Sequence, residues 1–572
     1  MSKLQKSQYS IIILIQFLMI GILIIGRLCP LSKGSIGYLH IEPGNNSLYV
    51  EDWDLTIKGQ DRDNITFFVL PSYAPISAIS QERSINKLYT DSGELFSDAS
   101  LFHKQHVLVD TNDGNPAEWN IELLKSENMH TIDIKLYETD ADQIVKENYT
   151  EASMKVFSPE GSLTYLDDIL IKGRGNSTWL HTKKPYDLKL PKINPLIGLS
   201  ASAKWSLISN NNDDTNMVNK LTMDLARDLG LKYTSDSEWC DLYINNEYMG
   251  NYLLCKEPGI GFGRVDINGY LVECDSREGD DHPSFTVGDS KYKIKDISKS
   301  CPADEKDIEN YFSNIDGELH TTPVNISNID LDSFAKRYLV EEFVYNHDSM
   351  GLSYFFYKED DNGLLFAGPC WDYDLACGKF GLRDERYIDY TLPLEKQGSG
   401  RCDWDYNLMS SDTYNRVLSQ IYEKNRPLFQ NVINNRIDEY EARIGKATNV
   451  DRIMWENGHE SRLMYSKTEN KFRYLKFFLS KRLLLLDDLT GYKSNISSPD
   501  YNIEDTHEII LNMDDGTIKK IRVKDGTQMD PGDLPSYDKK RFDGWHYKRE
   551  RGLFSYFIPI YEDTELILKE IA

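Results

Sequence analysis

Three aspartates, Asp348, Asp372 and Asp374, stand where they could act together. They flank a segment that predicts a β-hairpin, with two runs of aromatic and branched residues around a polar turn. A hairpin folds back on itself, so residues just before its first strand meet residues just after its second. Crowded carboxylates raise each other's pKa unless a cation neutralises them, and oxygen ligands of this kind suit Mg²⁺. The three aspartates therefore predict a phosphoryl-transfer site.

The register expected for this hairpin pairs Glu359 with Leu364 across the turn. The strands are predicted at residues 353–358 and 364–368. Extended to the base of the hairpin, the same register sets Asp348 opposite Leu375, the residue after Asp374. The carboxylates would then gather at one end of a rigid scaffold.

A glycine-containing loop, Gly173–Thr178, predicts a place for phosphate. Glycine lets backbone amides approach an anion closely, and Arg174 supplies a planar phosphate donor. Lys183 and Lys184 lead from this loop into the next strand. A loop of this kind by itself is a turn, but with the two lysines it resembles a phosphate-binding lobe. We expect one lysine to point inward and the other towards solvent, and we assign the inward position to Lys184.

A helix is predicted over Asp213–Gly230 from its apolar spacing. Asp213 or Thr215 can cap its start, and a glycine ends it. Lys220 and Asp224 lie one turn apart on this helix. They form either a solvated ion pair or part of a network around a nucleotide.

The chain resembles the spore-coat protein H (CotH) family of atypical kinases. Five motifs carry this resemblance, in the family's order: Lys172–Trp179 (KGRGNSTW), Lys183–Tyr186 (KKPY), Asn219–Leu221 (NKL), Asp241–Gly250 (DLYINNEYMG) and Gly368–Ala376 (GPCWDYDLA). They fall within roughly residues 130–490, and a multi-part motif of this kind is specific. The resemblance implies an α+β fold with a two-lobed, protein-kinase-like domain.

The same resemblance implies roles for the aspartates. Asp348 would orient the acceptor hydroxyl, while Asp372 and Asp374 would hold Mg²⁺ or Mn²⁺. Standard kinases place an asparagine metal ligand five residues after the catalytic aspartate, and this chain has Ser353 there. Metal binding would therefore rest on Asp372 and Asp374 together. The family usually has arginine where this chain has Val218, which is a departure from the family's pattern.

ATP is the cofactor that the resemblance implies, and six residues are expected to bind it. Arg174, Asn176 and Lys184 would hold its phosphates. Lys220 and Asp224 would complete an ion-pair network around it, and Glu257 lies in the segment that corresponds to the adenine-binding hinge.

Residues 1–35 predict export. Lys3 and Lys6 precede Ile11–Gly26, a run of sixteen almost wholly apolar residues. As a helix this run would span about 24 Å, short of the ~30 Å hydrocarbon core. It predicts either a signal peptide or a signal anchor, with the lysines inside. We expect an extracellular protein, or one anchored at the cell surface through residues 11–26.

Length and composition agree with a large exported protein. The 572 residues predict three or four domains. A formal charge of −26 argues against nucleic acid as a partner, which would require clustered Lys and Arg. The eight cysteines contain no C-x-x-C pair, so zinc-finger spacing is absent and we expect most of them to be buried thiols.

The expected domains follow changes in the pattern of the chain. They are a β-rich, sandwich-like module at 37–129, the kinase-like domain at 130–490, a linker at 491–503 and a β-grasp repeat at 504–572. Strands of the first module are predicted at 48–50, 55–58, 64–70, 106–110 and 119–123. Two long helices, 410–446 and 450–490, should complete the larger lobe, with an interruption at Pro427. The last module, with its Phe542–Trp545 motif, resembles repeats of bacterial surface proteins and suggests cell-wall or surface partners.

These observations favour an exported kinase that transfers the γ-phosphate of ATP to Ser or Thr of surface or coat proteins. The alternative is a non-catalytic adhesion or assembly protein on the same fold, since fold does not imply function. The three mutually repelling carboxylates favour catalysis, because a module without activity has no physical reason to keep them. A carbohydrate hydrolase with paired carboxylates has less support, since Trp371 is the one aromatic platform near them.

Overall fold

The structure is a computed structural model that describes most of the chain. It covers residues 39–42, 47–50, 55–62, 65–74, 88–89, 105–109, 117–277, 282–360, 363–377, 391–392, 402–455, 471–493, 506–524, 529, 534–548, 554, 560 and 563–570. The predicted export segment and residues 494–503 of the predicted linker lie outside these ranges. Helices and several sheets together make a mixed α+β protein, as the sequence predicts.

The first eight strands form two sheets. They are β1 (Leu39–Glu42), β2 (Ser47–Val50), β3 (Leu55–Lys58), β4 (Gln60–Arg62), β5 (Ile65–Leu70), β6 (Leu88–Tyr89), β7 (Gln105–Val109) and β8 (Ala117–Lys125). β1 to β3 form an antiparallel sheet, and the other five are ordered β4-β5-β8-β7-β6, with β5 and β8 parallel. The strands predicted here lie within two residues of those observed. A sandwich for this module stays a prediction.

A closed barrel of seven strands follows. Its strands are β9 (His130–Leu136), β10 (Thr150–Phe157), β11 (Leu163–Gly173), β12 (Tyr186–Asn194), β13 (Ser202–Ile208), β14 (Glu238–Ile244) and β15 (Glu247–Cys255). Alternation sends one face of each strand inward; in β10, for example, Ala152, Met154 and Val156 are buried. The barrel closes where β9 pairs in parallel with β14. The hairpin between β14 and β15 turns at Asn245 and Asn246, both with positive φ.

Between β13 and β14 lies the first helix, α1 (Val218–Asp228). It starts later than the predicted Asp213, because residues 213–217 form a turn that caps it. The Asp213 carboxylate accepts hydrogen bonds from the N–H groups of Thr215 (3.0 Å) and Val218 (2.8 Å). The helix ends before Gly230, whose φ of 81° is the left-handed conformation expected at a helix end.

A five-stranded sheet and six further helices make up the larger lobe. The strands are β16 (Tyr270–Cys274), β17 (Ser284–Val287), β18 (Ser290–Ile297), β19 (Tyr354–Lys358) and β20 (Leu365–Ala367), ordered β17-β18-β16-β19-β20. The helices are α2 (Glu305–Leu319), α3 (Leu331–Val344), α4 (Trp404–Leu408), α5 (Asp412–Asn431), α6 (Ile437–Trp455) and α7 (Lys471–Thr490). One hydrophobic core joins this sheet to the helices, including α1.

The predicted interruption at Pro427 is wrong in position. Pro427 lies inside α5, which continues to Asn431. A short π-helical segment, Val432–Arg436, then leads into α6. The proline has no N–H to donate to the Glu423 carbonyl, so the helix continues here with one i→i−4 hydrogen bond fewer.

The described ranges bear on two further predictions, the membrane-spanning segment and the state of the cysteines. None of the helices in the described ranges combines the length and the hydrophobicity that a membrane span requires. The residues expected to anchor the chain, 11–26, lie outside those ranges. Of the seven described cysteines, six are buried and Cys301 is partly exposed, and none of the seven is in a disulfide. This agrees with the prediction of mostly buried thiols.

The C-terminal part contains a four-stranded sheet with a core of its own. Its strands are β21 (Thr506–Asn512), β22 (Ile518–Lys524), β23 (Phe542–Tyr547) and β24 (Thr564–Glu570), ordered β22-β21-β24-β23. β21 and β24 run parallel, and Trp545 and Leu566 are buried between them and their neighbours. Its assignment as a β-grasp repeat stays a prediction.

Candidate functional site

The hairpin of β19 and β20 has the register expected from its sequence. Lys358 pairs with Leu365, one step in from the predicted pair of Glu359 and Leu364. The ladder ends at Ala367, so the aspartates beyond the strands lie in turns and not in paired strands. What positions them is therefore the hydrogen bonding of those turns.

The turn that carries Asp348 follows the end of α3. Tyr345 ends the helix in the left-handed conformation, with φ of 47°, and reverses the chain. The Asp348 N–H donates to Oδ1 of Asn346 at 3.2 Å, and the Leu352 N–H donates to the Asp348 carbonyl at 2.9 Å. Asp348 is 7% exposed. The turn is closed by its own hydrogen bonds, which hold the aspartate at a defined place.

The second turn carries Asp372 and Asp374. Asp372 has φ of 64°, a backbone conformation that costs free energy for a residue other than glycine. Its Oδ2 accepts a hydrogen bond from the Ser353 hydroxyl at 3.0 Å. Oδ2 of Asp374, a residue 8% exposed, accepts from Nδ2 of Asn212 at 3.1 Å. Both carboxylates thus lie at the inner edge of the larger lobe, against side chains from other segments.

A buried glutamate of α3, Glu341, joins the two turns. Its Oε1 accepts from the Tyr373 hydroxyl and its Oε2 from Nδ2 of Asn346, both at 2.8 Å. Close by, the Cys377 N–H donates to the Val344 carbonyl at 2.7 Å. The base of the hairpin is therefore a single unit, in which the turn of the expected catalytic aspartate is tied to that of the expected metal ligands.

A tighter group of metal-ligating atoms lies elsewhere. Within the described part of the chain, three such side chains with ligand atoms all within 4.8 Å of one another occur at Asp316, His320 and Asp403. The three aspartates of the hairpin turns do not meet this spacing. The Asp372 and Asp374 carboxylates instead accept hydrogen bonds from a neighbouring hydroxyl and a neighbouring amide, which a bound cation would replace in part.

Arg174 extends from the barrel to the turn of Asp372 and Asp374, which we name the metal turn for its expected ligands. Its Nε lies 3.1 Å from Oδ1 of Asp187 and its Nη2 3.9 Å from Oε1 of Glu257. The guanidinium also lies over the Trp371 ring, 5.4 Å from the centroid. Burial would lower the pKa of Arg174, but these carboxylates, together with Asp372, hold it above its ordinary value. Arg174, which the sequence analysis assigned to this site, therefore contacts Trp371, the residue before Asp372.

Asp187, the partner of Arg174, was not among the predicted site residues. It lies on β12, on the face opposite to the barrel core, and also accepts from the Ser206 hydroxyl at 2.7 Å. Burial raises the pKa of Asp187, while the charge of Arg174 opposes that rise. In the sequence this residue has the alternation of a solvent-facing strand position, so no local signal marks it.

The inward lysine is Lys183, and the assignment of that position to Lys184 is wrong. The Lys183 Nζ is fully buried and donates to the Asn251 carbonyl and to Oδ2 of Asp451, both at 2.7 Å. The Lys184 Nζ donates to the Trp179 carbonyl at 2.5 Å and lies over the Trp179 ring. Lys183 faces inward because its partner lies on α6, 268 residues further along the chain, which no local pattern reveals.

Asn176 and Glu257 lie on the barrel side. Oδ1 of Asn176 accepts from Lys146 Nζ at 3.4 Å, at the exposed start of a short 3₁₀ turn, Ser177–Leu180. The Glu257 side chain is 44% exposed, and its Oε1 lies 3.9 Å from Arg174 Nη2. Glu257 is thus connected to the aspartate turns through Arg174, whereas Asn176 makes its described contact away from them.

Lys220 and Asp224 pair with each other but face away from the aspartate turns. Their charged atoms are 3.0 Å apart, and Lys220 Nζ donates to the Ser237 carbonyl at 2.7 Å. The ammonium lies 5.3 Å from the Trp239 ring centroid, and Asp224 accepts from the Tyr440 hydroxyl. The pair therefore packs between α1, β14 and α6. Its expected part in a network around the nucleotide stays a prediction.

The residue of α1 that faces the aspartates is Asn219. Its Oδ1 accepts from the Tyr373 N–H at 2.8 Å, between the two metal-turn aspartates. Successive helical residues point about 100° apart, which explains why Lys220 faces another side. Val218, at the position where the family usually has arginine, is fully buried.

Three polar residues therefore belong to the site beyond the predicted set: Asn212, Asn219 and Asp187. Asn219 stood within a quoted motif, so its position was visible although its role was not. Asn212 lies in a run of three asparagines, a pattern that indicates a loop and no more. Their contacts arise between segments far apart in the chain.

Comparison with solved structures gives one neighbour of interest. The Helicobacter pylori proinflammatory kinase CtkA is 10% identical, with 63% of this chain and 99% of that chain covered and a TM-score of 0.27. A TM-score this low carries no argument about fold. No curated protein matches the chain.

Comparison with protein families gives a clear match. The family described as CotH kinase protein matches residues 171–486. This range begins in β11 and ends in α7, so it contains every residue of the two aspartate turns as well as Arg174. It covers more than half of the 572 residues. The chain therefore belongs to the CotH kinase protein family.

Proposed function

We propose that this chain is an exported protein kinase that transfers the γ-phosphate of ATP to Ser or Thr hydroxyls of surface or spore-coat proteins. The observation that carries the proposal is the base of the hairpin. There Glu341 ties the turn of Asp348 to the turn of Asp372 and Asp374. Membership of a kinase family implies, in general, the use of a nucleotide and a divalent metal.

The donor set fits Mg²⁺ or Mn²⁺. Asp372 and Asp374 offer hard carboxylate oxygens from one turn, and each accepts a hydrogen bond from a neutral group, the Ser353 hydroxyl and the Asn212 amide. Asp372 and Asp374 would hold the ion, which supplies positive charge to the phosphate oxygens during transfer. Arg174, above Trp371, would add a second positive charge on the barrel side.

Asp348 would act on the acceptor. Its carboxylate accepts a hydrogen bond from the Ser or Thr hydroxyl and orients the oxygen towards the γ-phosphorus. A bond forms between that oxygen and phosphorus, while the bond from phosphorus to the bridging oxygen of ADP breaks. The hydroxyl proton passes to Asp348 and from there to solvent. Positioning and charge carry most of this reaction, which is why the rigid turns matter.

Export and surface partners are part of the same proposal. Lys3 and Lys6 ahead of residues 11–26 support an extracellular or membrane-anchored location. The C-terminal sheet, with its own core, supports contact with the cell wall or with surface proteins. Acceptors would then be proteins of the cell surface or the coat.

Asp348→Asn tests the proposal. We predict that the variant binds ATP and Mg²⁺ nearly as the parent does but transfers phosphate at least ~100-fold more slowly, since the shape is kept and the charge is lost. The measurement follows label from γ-phosphate-labelled ATP to a generic basic protein and to the kinase itself. Transfer at the parent rate would remove Asp348 from the mechanism. A parent that transfers nothing with Mg²⁺ or Mn²⁺ would favour the adhesion or assembly protein instead.

A further inference from the structure

Arg277 lies beside the turn of Asp348, on the segment that follows β16. The Ser276 N–H donates to the Gly351 carbonyl at 3.1 Å, which fixes this segment against the turn. Nη2 of Arg277 donates to the Ser353 hydroxyl oxygen at 3.3 Å. That hydroxyl in turn donates to Asp372 Oδ2 at 3.0 Å. A guanidinium is therefore connected to the expected metal ligand through one serine.

The arginine has a second partner, Asp275, which holds its side chain in place. Nε and Nη2 of Arg277 donate to the two carboxylate oxygens of Asp275 at 2.9 and 3.1 Å. Lys293 Nζ donates to the same carboxylate at 3.0 Å, and both of these side chains are 3% exposed. Burial would raise the pKa of Asp275, but Arg277 and Lys293 hold it below its ordinary value.

The cluster of Asp275, Arg277 and Lys293 has one more positive charge than negative charge. Asp275 carries one negative charge and has two cationic partners, so Lys293 alone would neutralise it. Among these three described groups, Arg277 supplies the extra positive charge. Beyond Asp275, the charges of Asp372 and Glu273 raise the pKa of Arg277, and Glu273 already pairs with Lys295 at 3.1 Å. Arg277 is 33% exposed, and its Nη1 makes no hydrogen bond to a described residue. A purely structural salt bridge would not require this second cation at the edge of the site.

The distances allow Arg277 to reach a phosphate. Two hydrogen bonds in series, 3.3 and 3.0 Å, keep its Nη2 within 6.3 Å of Asp372 Oδ2. Neighbouring oxygen ligands of one Mg²⁺ lie about 3 Å apart, because each is ~2.1 Å from the ion. A phosphate oxygen on the ion held by Asp372 can therefore lie within hydrogen-bond reach of Arg277. A planar guanidinium matches phosphate oxygens in shape and charge.

We infer that Arg277 binds the γ-phosphate of ATP from the side of the larger lobe, opposite to Arg174 on the barrel. Asp372 then lies between two guanidinium groups, one from each lobe. Arg277 would stabilise negative charge on the transferred group, a role in which preorganised cations have large effects. This inference rests on the proposed kinase function, and it concerns the residue that distinguishes ATP from ADP.

Arg277→Gln in the full-length chain tests the inference by nucleotide binding, without reference to activity. With Mg²⁺ present, we expect about tenfold or more weaker binding of ATP and unchanged binding of ADP, since one charge-assisted hydrogen bond to the γ-phosphate is lost. The matched control is Lys295→Gln, which removes a cation of the same sheet that pairs with Glu273 at 3.1 Å. The control should keep the ATP-to-ADP affinity ratio of the parent.

Two outcomes would overturn the inference. They are an equal loss of ATP and ADP affinity in Arg277→Gln, which indicates a structural role, and no loss of either. Should Arg277→Gln melt at a lower temperature than the parent, Arg277→Lys provides the second variant, since it keeps the charge and a bond to Asp275. It should still weaken ATP more than ADP. A parent that binds both nucleotides but transfers no phosphate would contradict the proposed function alone, while a parent that binds neither would contradict both.

Discussion

Lys183 and Lys184 are adjacent in the chain, yet their ammonium groups lie in different surroundings. Lys183 Nζ is buried between a carboxylate of α6 and a carbonyl of β15. Burial lowers its pKa, and the charge of Asp451 opposes that change. Lys184 Nζ rests on Trp179 and is partly exposed. One lysine therefore joins the barrel to the larger lobe, while the other stays on the barrel.

For the residue scale we predict that Lys183→Ala lowers the free energy of unfolding by about 3–5 kcal/mol, because Asp451 is left as a buried charge without its cation. Lys184→Ala is the matched control and should cost about 1 kcal/mol or less. Urea denaturation of both variants measures the difference. Similar losses in the two variants would contradict the assignment of Lys183 as the inward lysine.

The short helix α4 is tied to the hairpin of β19 and β20 by a buried acid. Oδ2 of Asp405 accepts from the hydroxyl of Tyr354, in β19, at 3.4 Å. Burial raises the pKa of Asp405 to about 7, with a further rise from the nearby Glu341 charge. Between pH 3.8 and about 7 the folded chain binds this proton and the unfolded chain does not. Stability from this group therefore falls as pH rises through that window and is constant above it.

For the element scale we predict that Asp405→Asn removes this loss. The difference in unfolding free energy between pH 5 and pH 8 should shrink by roughly 2–3 kcal/mol relative to the parent, since one pKa unit corresponds to about 1.4 kcal/mol. Denaturation curves at pH 5, 6, 7 and 8 provide the measurement. Asp412→Asn, at the exposed start of α5, should leave the parent's pH dependence unchanged. A variant that follows the parent at every pH would show that Asp405 is ionised throughout.

For the whole molecule, the C-terminal sheet has a separate core. Its buried residues, among them Ile509, Trp545 and Leu566, belong to a cluster distinct from the cores of the barrel and the larger lobe. We predict that a chain ending at Tyr492 binds ATP and Mg²⁺ as the full chain does. Titration calorimetry of both chains checks this. Lost binding together with a lower melting temperature would show that the sheet supports the larger lobe.

Much of the local structure was predictable from the sequence. The hairpin register, the strands of residues 37–129 and the helix that ends before Gly230 follow from alternation, helical spacing and turn residues, all of which act over a few positions. The placement of Asp348, Asp372 and Asp374 at the base of one hairpin was predictable as well, because it follows from the register of that hairpin. Family membership was also predictable, because its motifs are contiguous stretches.

Only the tertiary structure decided which side chains meet. The barrel closes through a parallel pairing of β9 with β14, more than a hundred residues apart, which the alternation of either strand does not reveal. Lys183 pairs with Asp451, and Arg174 contacts Asp187 and Trp371. On α1 it is Asn219, not Lys220, that contacts the turn of Asp372 and Asp374. Each of these contacts depends on how separate elements pack. Arg277 entered the site in the same way, through a serine on the neighbouring turn. A sequence determines its periods and turns locally, whereas a site is assembled across distances that only folding brings together.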